Sequence, residues 1–253
     1  MNSSKTLQLS LKSISKTIPK EIIGQKIIVD GRSTDNTVEI AKSFGWNVVE
    51  AETVGIAFQA NQALKMVQTP FFCSFEHDVI VCPNWFTTVY RHIRKDQEVA
   101  VVQGVRLPTN RIMKAIREEG LRREKRYVSM DNNLYRTEII RALGGFDVRF
   151  NTGCDIILQS RVIKAGFKWV VDKNLVSQHI SCSVRDCLRH RMRMVKLANW
   201  RVKVPFIRVL FRFLFSPLRG LEMALKKRCP ELFFVYMCWR FVDLWGYAKF
   251  GIA

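Results

Sequence analysis

Residues 27–37, Ile-Ile-Val-Asp-Gly-Arg-Ser-Thr-Asp-Asn-Thr, decide how this chain folds. Ile27, Ile28 and Val29 form a short β-branched run without polar alternation, the pattern of a strand covered on both faces. The run stops on Asp30. Gly31 permits a tight turn, Ser33 or Thr34 can cap the helix that follows, and Asp35 suits the positive end of its dipole. In open α/β sheets, ligands bind at strand ends of this kind. Read alone, the residues also fit a plainer account in which Asp30 starts a turn and Asp35 serves the helix start.

Outward from this junction, strand and helix alternate. Thr34–Phe44 reads as a helix ending at Gly45, Trp46–Glu50 as a strand, Ile56–Val67 as a helix, and Phe71–Phe75 as a strand running into Glu76-His77-Asp78. On an extended segment Glu76 and Asp78 share one side, with His77 opposite. A helix near Trp85–Arg94, a strand near Val99–Val102, a strand at Leu134–Arg136 and a short helix at Glu138–Ala142 follow. A turn at Gly144–Asp147, a helix at Asp155–Lys164 and a last strand at Lys168–Val171 then lead to His179. Such alternation predicts an α/β fold, a mostly parallel sheet with helices on both faces. Right-handed crossovers place Asp30 and Asp78 at the same edge.

Composition bounds the function. The 253 residues hold 48% hydrophobic residues, enough for one sizeable domain plus an appendage, and the formal charge of +19 calls for an anionic neighbour. Seven cysteines, an odd number without a CxxC pair, suit free thiols in a reducing cytosol. The first residues lack the apolar core of a secretory signal, so a cytoplasmic protein is expected. From about Ser181 the composition changes: the remainder holds 15 Lys/Arg against 4 Asp/Glu, or +11 of the +19. Two regions are expected, a catalytic domain over 1–180 and a basic, amphipathic helical region over 181–253.

In that tail Arg201, Arg208 and Arg212 fall on one helical face among Phe, Leu and Val, and Leu232–Trp239 continues the apolar theme. The segment is too short and too charged to span a bilayer yet too apolar for a solvated helix. It reads as lying on an anionic membrane surface, which places the protein peripherally on the inner face of the cell membrane. Packing on the catalytic domain or on a second subunit is the alternative. Nucleic acid is disfavoured, because acidic strand ends line the cleft and the tail alternates charge with bulky apolar groups.

The segment IIVDGRSTDNTVEIAKSFG resembles the "vvDdgStDgT" signature of family 2 glycosyltransferases. Further segments are similar in order: Ala57–Ala63 to "aaaRNxG", with Asn61 holding the Asn; Phe75–Val79 to the Asp-x-Asp element; Asn133–Arg136 to "n.ayRre"; Gly144–Asp147 to "GGFDe"; Asp155–Arg161 to "EDxdLs.R"; and Lys164–Phe167 to "kaGy". Order and spacing make the resemblance specific over about residues 2–180. It implies a GT-A (Rossmann-like) fold and transfer of a sugar, with inversion, from a nucleotide diphosphate donor to a lipid-linked or glycan acceptor.

The same resemblance implies roles. Asp30 would bind the donor base, with Gly31, Ser33, Asp35 and Asn61 on the donor side. Glu76 would face the ribose or metal, Asp78 would hold Mg2+ or Mn2+ against the diphosphate, and His179 would reach the metal or diphosphate. Arg136 or Arg161 would stabilise the leaving group, and Asp155 would be the general base for the acceptor hydroxyl. As bland rivals, Asp155 caps its helix and His179 merely ends a strand. Three departures stand out: Glu76 replaces the first Asp of Asp-x-Asp, Cys154 replaces the Glu of "ED", and Asn2 already matches the Asn after the family's first strand, so either the true start lies upstream or the sheet lacks that strand. They keep a second reading in view, a catalytically impaired relative that binds glycan or membrane.

Overall fold

The computed structural model describes residues 1–123, 127–150, 153–180, 183–196 and 205–250. Arg201 lies outside them. The chain divides into two compact units, one of Met1–Leu107 with Lys125–Ser181 and one of Pro108–Glu124 with Cys182–Ala253.

The first unit holds helix α1 (Ser4–Thr17), strand β1 (Ile27–Asp30), α2 (Thr37–Ser43), β2 (Asn47–Glu50), α3 (Ile56–Met66), β3 (Phe71–Ser74), β4 (Val79–Ile80) and α4 (Trp85–Lys95). After β5 (Val99–Pro108), helix α5 (Arg111–Arg123) belongs to the second unit, and the first resumes with β6 (Asn133–Arg136), α6 (Thr137–Ala142), α7 (Cys154–Lys164) and β7 (Lys168–His179). β1 and β2 pair in parallel, Ile27 opposite Asn47 through Asp30 opposite Glu50. A five-stranded sheet runs β3-β6-β5-β7-β4, with the β3–β6, β5–β6 and β4–β7 pairs antiparallel. The architecture is α/β with helices on both faces, and the antiparallel pairs lie in the later half.

Neighbouring residues of one strand show that both faces are covered. Val102 and Leu134 point into a core built with Leu7, Leu11 and Ile14 of α1 and Trp85, Val89 and Ile93 of α4. Val101 and Tyr135 point the other way, into a core with Ala57 and Leu64 of α3, Ile140 of α6 and Leu158 and Val162 of α7. The one-residue alternation of the pleat thus feeds two cores.

Residues ahead of β1 form α1, and among the described residues no strand pairs with the edge of β1 turned from β2. The Gln59 side-chain amide donates to the Val29 carbonyl there, 2.9 Å away, where a strand N–H would otherwise bond. α1 ties the two acidic segments together. The Ser3 and Ser4 amides at its start donate to Thr37 Oγ1 and Asp35 Oδ2 (2.7 and 3.1 Å), and Ser10 Oγ donates to the Glu76 carbonyl (3.1 Å).

The second unit packs α5 with α8 (Val184–Lys196), α9 (Phe206–Leu214), α10 (Ser216–Lys227) and α11 (Glu231–Phe250). α5 sits with these helices because its acidic residues find cations there: Glu118 pairs with Lys227 at 2.6 Å and Glu119 with Arg219. Ile112, Ala115 and Ile116 pack against Ala224, Cys229 and Leu232. Among the described residues, no helix is long and apolar enough to cross a membrane.

Candidate functional site

The site is assembled by strand register. β4 and β7 are antiparallel with Val79 opposite His179, and the Ile180 amide donates to the Asp78 carbonyl at 2.9 Å. This pairing brings His179 Nε2 within 3.1 Å of Asp78 Oδ2, although 101 residues separate them in sequence. β7 runs the whole way from Lys168 to His179, so the histidine ends the strand itself. The segment between β3 and β4 is a turn, closed by Val79 N to Glu76 O at 3.4 Å. Glu76 and Asp78 therefore meet through that turn, not through the pleat expected of an extended segment. One ligand atom from each of Glu76, Asp78 and His179 lies within 4.8 Å of the others. Two carboxylates and an imidazole at this spacing form a donor set suited to Mg2+ or Mn2+.

Arg106 sits behind Glu76. Its Nη1 bonds Glu76 and also donates to Asp131 Oδ2 at 3.1 Å, and Asp131 is 1% exposed. Burial raises Glu76, Asp131 adds repulsion, and Arg106 opposes both; the net result is a carboxyl pushed up to about 7. Burial works against the Arg106 charge, but Asp131 and Glu76 more than offset it and hold the guanidinium protonated. Asp131 also accepts from Ser129 Oγ, and the Ser129 carbonyl accepts from Asn133 Nδ2 at 2.6 Å. That same Asn133 amide reaches Tyr135 Oη at 2.6 Å. Asp155 is one of the charges that raise the Tyr135 hydroxyl, after burial. A chain of polar contacts therefore runs from the Glu76 cluster to Tyr135. At the start of α7 Asp155 occupies the first turn behind Gly153, which adopts a left-handed conformation at φ 83°, and Asp155 Oδ1 accepts from the Ile156 amide at 2.9 Å.

At the opening junction the Asp30 carboxylate accepts from the Ser33 amide and hydroxyl, both at 2.6 Å, and is buried. The positive φ of this turn falls on Arg32 (65°), not on Gly31. Gly31 matters for space: a Cβ there would lie 3.3 Å from the Gln59 amide and 3.4 Å from Met1 Cβ. Asp35 serves the helix start. It accepts from the Thr37 hydroxyl and from the Thr37 and Ser4 amides (both 3.1 Å), and these bonds, the Thr37 hydroxyl first, hold it well below the usual carboxylate range.

A family model described as Glycosyl transferase family 2 matches residues 1–167. The chain belongs to glycosyl transferase family 2. No curated protein matches it in sequence. Among solved structures, a mannosyltransferase from Pyrobaculum calidifontis in complex with GDP-Man and Mn2+ is 15% identical, with 93% of this chain and 70% of that one covered and a TM-score of 0.63. Glucosyl-3-phosphoglycerate synthase from Mycobacterium tuberculosis, in complex with Mn2+, UDP and phosphoglyceric acid, is 16% identical over 74% of this chain and 70% of that one, TM-score 0.57. S. aureus TarS 1-349 in complex with UDP-GlcNAc is 16% identical over 97% and 86%, TM-score 0.56. At such identities the likeness concerns the fold, which is GT-A.

Three residues expected at the donor of a family 2 transferase make bonds that shape the fold. Asn61 donates to the Phe146 carbonyl (2.7 Å) and accepts from the Phe146 amide (2.8 Å), so both ends of its amide hold the Gly144–Asp147 turn. Arg161 secures the same turn through Asp147 (2.6 Å) and the Leu143 carbonyl (3.4 Å). Arg136 donates to the Ile93 and Val99 carbonyls, at 2.9 and 3.4 Å, and lies over the Phe71 ring. Each places polar groups on backbone carbonyls or a turn carboxylate.

Arg106 and Asp131 back the Glu76 cluster and are not singled out by the sequence pattern, nor is the neighbouring Asn132, which holds the strands behind it. β5 extends six residues past Val102 to Pro108, passing so close to Asn132 at Gly104 that a Cβ would meet Asn132 Nδ2 at 2.5 Å. Asn132, at φ 63°, accepts from Trp85 Nε1 (3.3 Å) and Ser177 Oγ (3.0 Å) and donates to the Val105 carbonyl (3.1 Å). The one available signal was the apolar run continuing through Val105 and placing Arg106 one pleat beyond it.

Proposed function

We propose that this protein transfers a sugar, with inversion, from a nucleotide diphosphate donor to a lipid-linked or glycan acceptor at the inner surface of the cell membrane. The observation that carries the reading is the convergence of Glu76, Asp78 and His179 within 4.8 Å in a member of glycosyl transferase family 2. Structurally similar transferases hold Mn2+ beside GDP-Man or UDP. The triad fits such an ion by donor type and spacing, so Asp78, His179 and Glu76 would hold Mg2+ or Mn2+. When bound, that ion neutralises the charge growing on the departing diphosphate. Asp30 and Ser33 at the end of β1 form the donor-base edge. Asp155, at the positive end of α7, accepts the proton of the acceptor hydroxyl as that hydroxyl oxygen attacks the anomeric carbon. The basic, apolar tail supports an acceptor met at an anionic membrane surface.

Calorimetry of Mn2+ binding to wild type and Asp78→Ala tests the reading. We expect saturable binding by the wild type, strengthened by a nucleotide diphosphate, and at least ~100-fold weaker binding by the variant with unchanged circular dichroism. Equal affinity in both would contradict it.

A further inference from the structure

Nothing in the transfer chemistry uses the outer face of α9 and α10. Ile207, Phe211, Leu214, Leu218, Leu221 and Leu225 recur at steps of four and three residues, and each is between 50% and 72% exposed. The helical hydrogen bonds Phe215 to Phe211 (3.0 Å) and Arg219 to Phe215 (3.2 Å) run through the junction between the helices, so the spacing keeps its phase across it. The opposite side of α10 is fully used: Ser216, Gly220, Met223 and Ala224 are buried, and Gly220 admits the Phe233 backbone so closely that a Cβ would lie 3.1 Å from its carbonyl oxygen. The stripe is what remains uncovered.

Charge says what covers it. The residue after each stripe member lies about 100° further round the helix, and at four of the six positions it is Arg208, Arg212, Arg219 or Lys226. Arg219 is taken by Glu119 and Glu222, whereas Arg208, Arg212 and Lys226 are exposed and enter no ion pair among the described residues. An apolar row bordered by cations matches a layer with an apolar interior and anionic heads. A second copy of the chain would bring like charges together.

We propose that the α9–α10 stripe is the face that enters an anionic bilayer, its six apolar side chains at the acyl boundary and Arg208, Arg212 and Lys226 at the headgroups. This rests on the membrane-surface reading above and names the surface responsible. It excludes α5, whose acidic residues are spent on Lys227 and Arg219 in holding α10.

Flotation of the full chain with phosphatidylcholine vesicles, with and without phosphatidylserine, tests this. Wild type should float with the anionic vesicles, Leu218→Asp/Leu225→Asp should bind at least ~10-fold less, and Arg208→Gln/Arg212→Gln should lose roughly tenfold of the preference for phosphatidylserine. Ile163→Asp, at an exposed apolar residue of the other unit, should float as wild type does. The proposal is overturned if the Leu pair variant floats like wild type. It is also overturned if sedimentation reveals a dimer that this variant dissolves while neither protein floats. Should the Leu variant misfold by circular dichroism, the Arg variant decides: an unchanged lipid preference overturns the proposal. Mn2+-dependent nucleotide binding, measured on the same samples, reads the catalytic assignment separately. Flotation without nucleotide binding would leave the membrane face standing and remove the transferase reading.

Discussion

His179 Nε2 stands 3.1 Å from Asp78 Oδ2 because the β4–β7 ladder sets His179 opposite Val79. Backbone pairing sets the two residues side by side. His179→Ala should therefore leave the fold intact and weaken Mn2+ binding by on the order of 10- to 100-fold, read by calorimetry. An unchanged affinity would remove the imidazole from the metal site.

The proposed mechanism gives proton transfer to Asp155. Asp155→Asn keeps its shape and its bond to the Ile156 amide but cannot accept a proton, so kcat should fall by ~10²- to 10⁴-fold while donor binding changes little. A loss confined to donor KM would instead make Asp155 a binding residue.

The Glu76 carboxyl, raised from 4.5 to about 7, predicts a pH dependence whose sign follows from linkage. The metal-free folded state holds this proton more tightly than the unfolded chain, so its stability falls as pH rises from about 4.5 through 7. A divalent ion competes with the proton, so Mn2+ affinity should rise over the same window. Thermal melts at pH 5 and pH 8, with and without Mn2+, should show the metal raising Tm more at the higher pH. Glu76→Gln should flatten this dependence.

Arg106 neutralises Asp131, which is 1% exposed. Arg106→Met leaves a buried carboxylate without its cation and should lower stability by about 3 kcal/mol, read by denaturant titration. Arg106→Lys should restore part of this, since it keeps the charge but not the fork that reaches Glu76 and Asp131 together.

Gly145 adopts φ 67° with room for no Cβ, which would lie 2.5 Å from Asn61 Oδ1. Gly145→Ala should cost about 1–3 kcal/mol through backbone strain and the displaced Asn61 amide, seen as a lower Tm.

What could be read before any coordinates depended on how far apart the cooperating residues lie. Ile27–Asp30 declares itself a strand by composition alone, and Asp78 and His179 stand out because each borders a strand in an ordered series. Arg106 was invisible because its partners come from strands and loops 25 and 30 residues away, joined only once β5 pairs with β6. The partners of Asn61 and Arg161 are hidden in the sequence for a related reason. Their targets are the backbone and the carboxylate of one turn, at Phe146 and Asp147, and a motif records that a residue is needed without recording by what. Likewise Asp35 fits a ligand or a helix start by sequence alone, and the bonds it makes to the Ser4 and Thr37 amides show the helix-start role.

The most direct measurement is release of nucleoside diphosphate by the full chain on anionic vesicles, across a panel of nucleotide sugars with Mn2+. The account predicts turnover of at least one donor, lost on chelation and in Asp78→Ala. No turnover and no binding of any donor, with Mn2+ present and the protein folded, would contradict it.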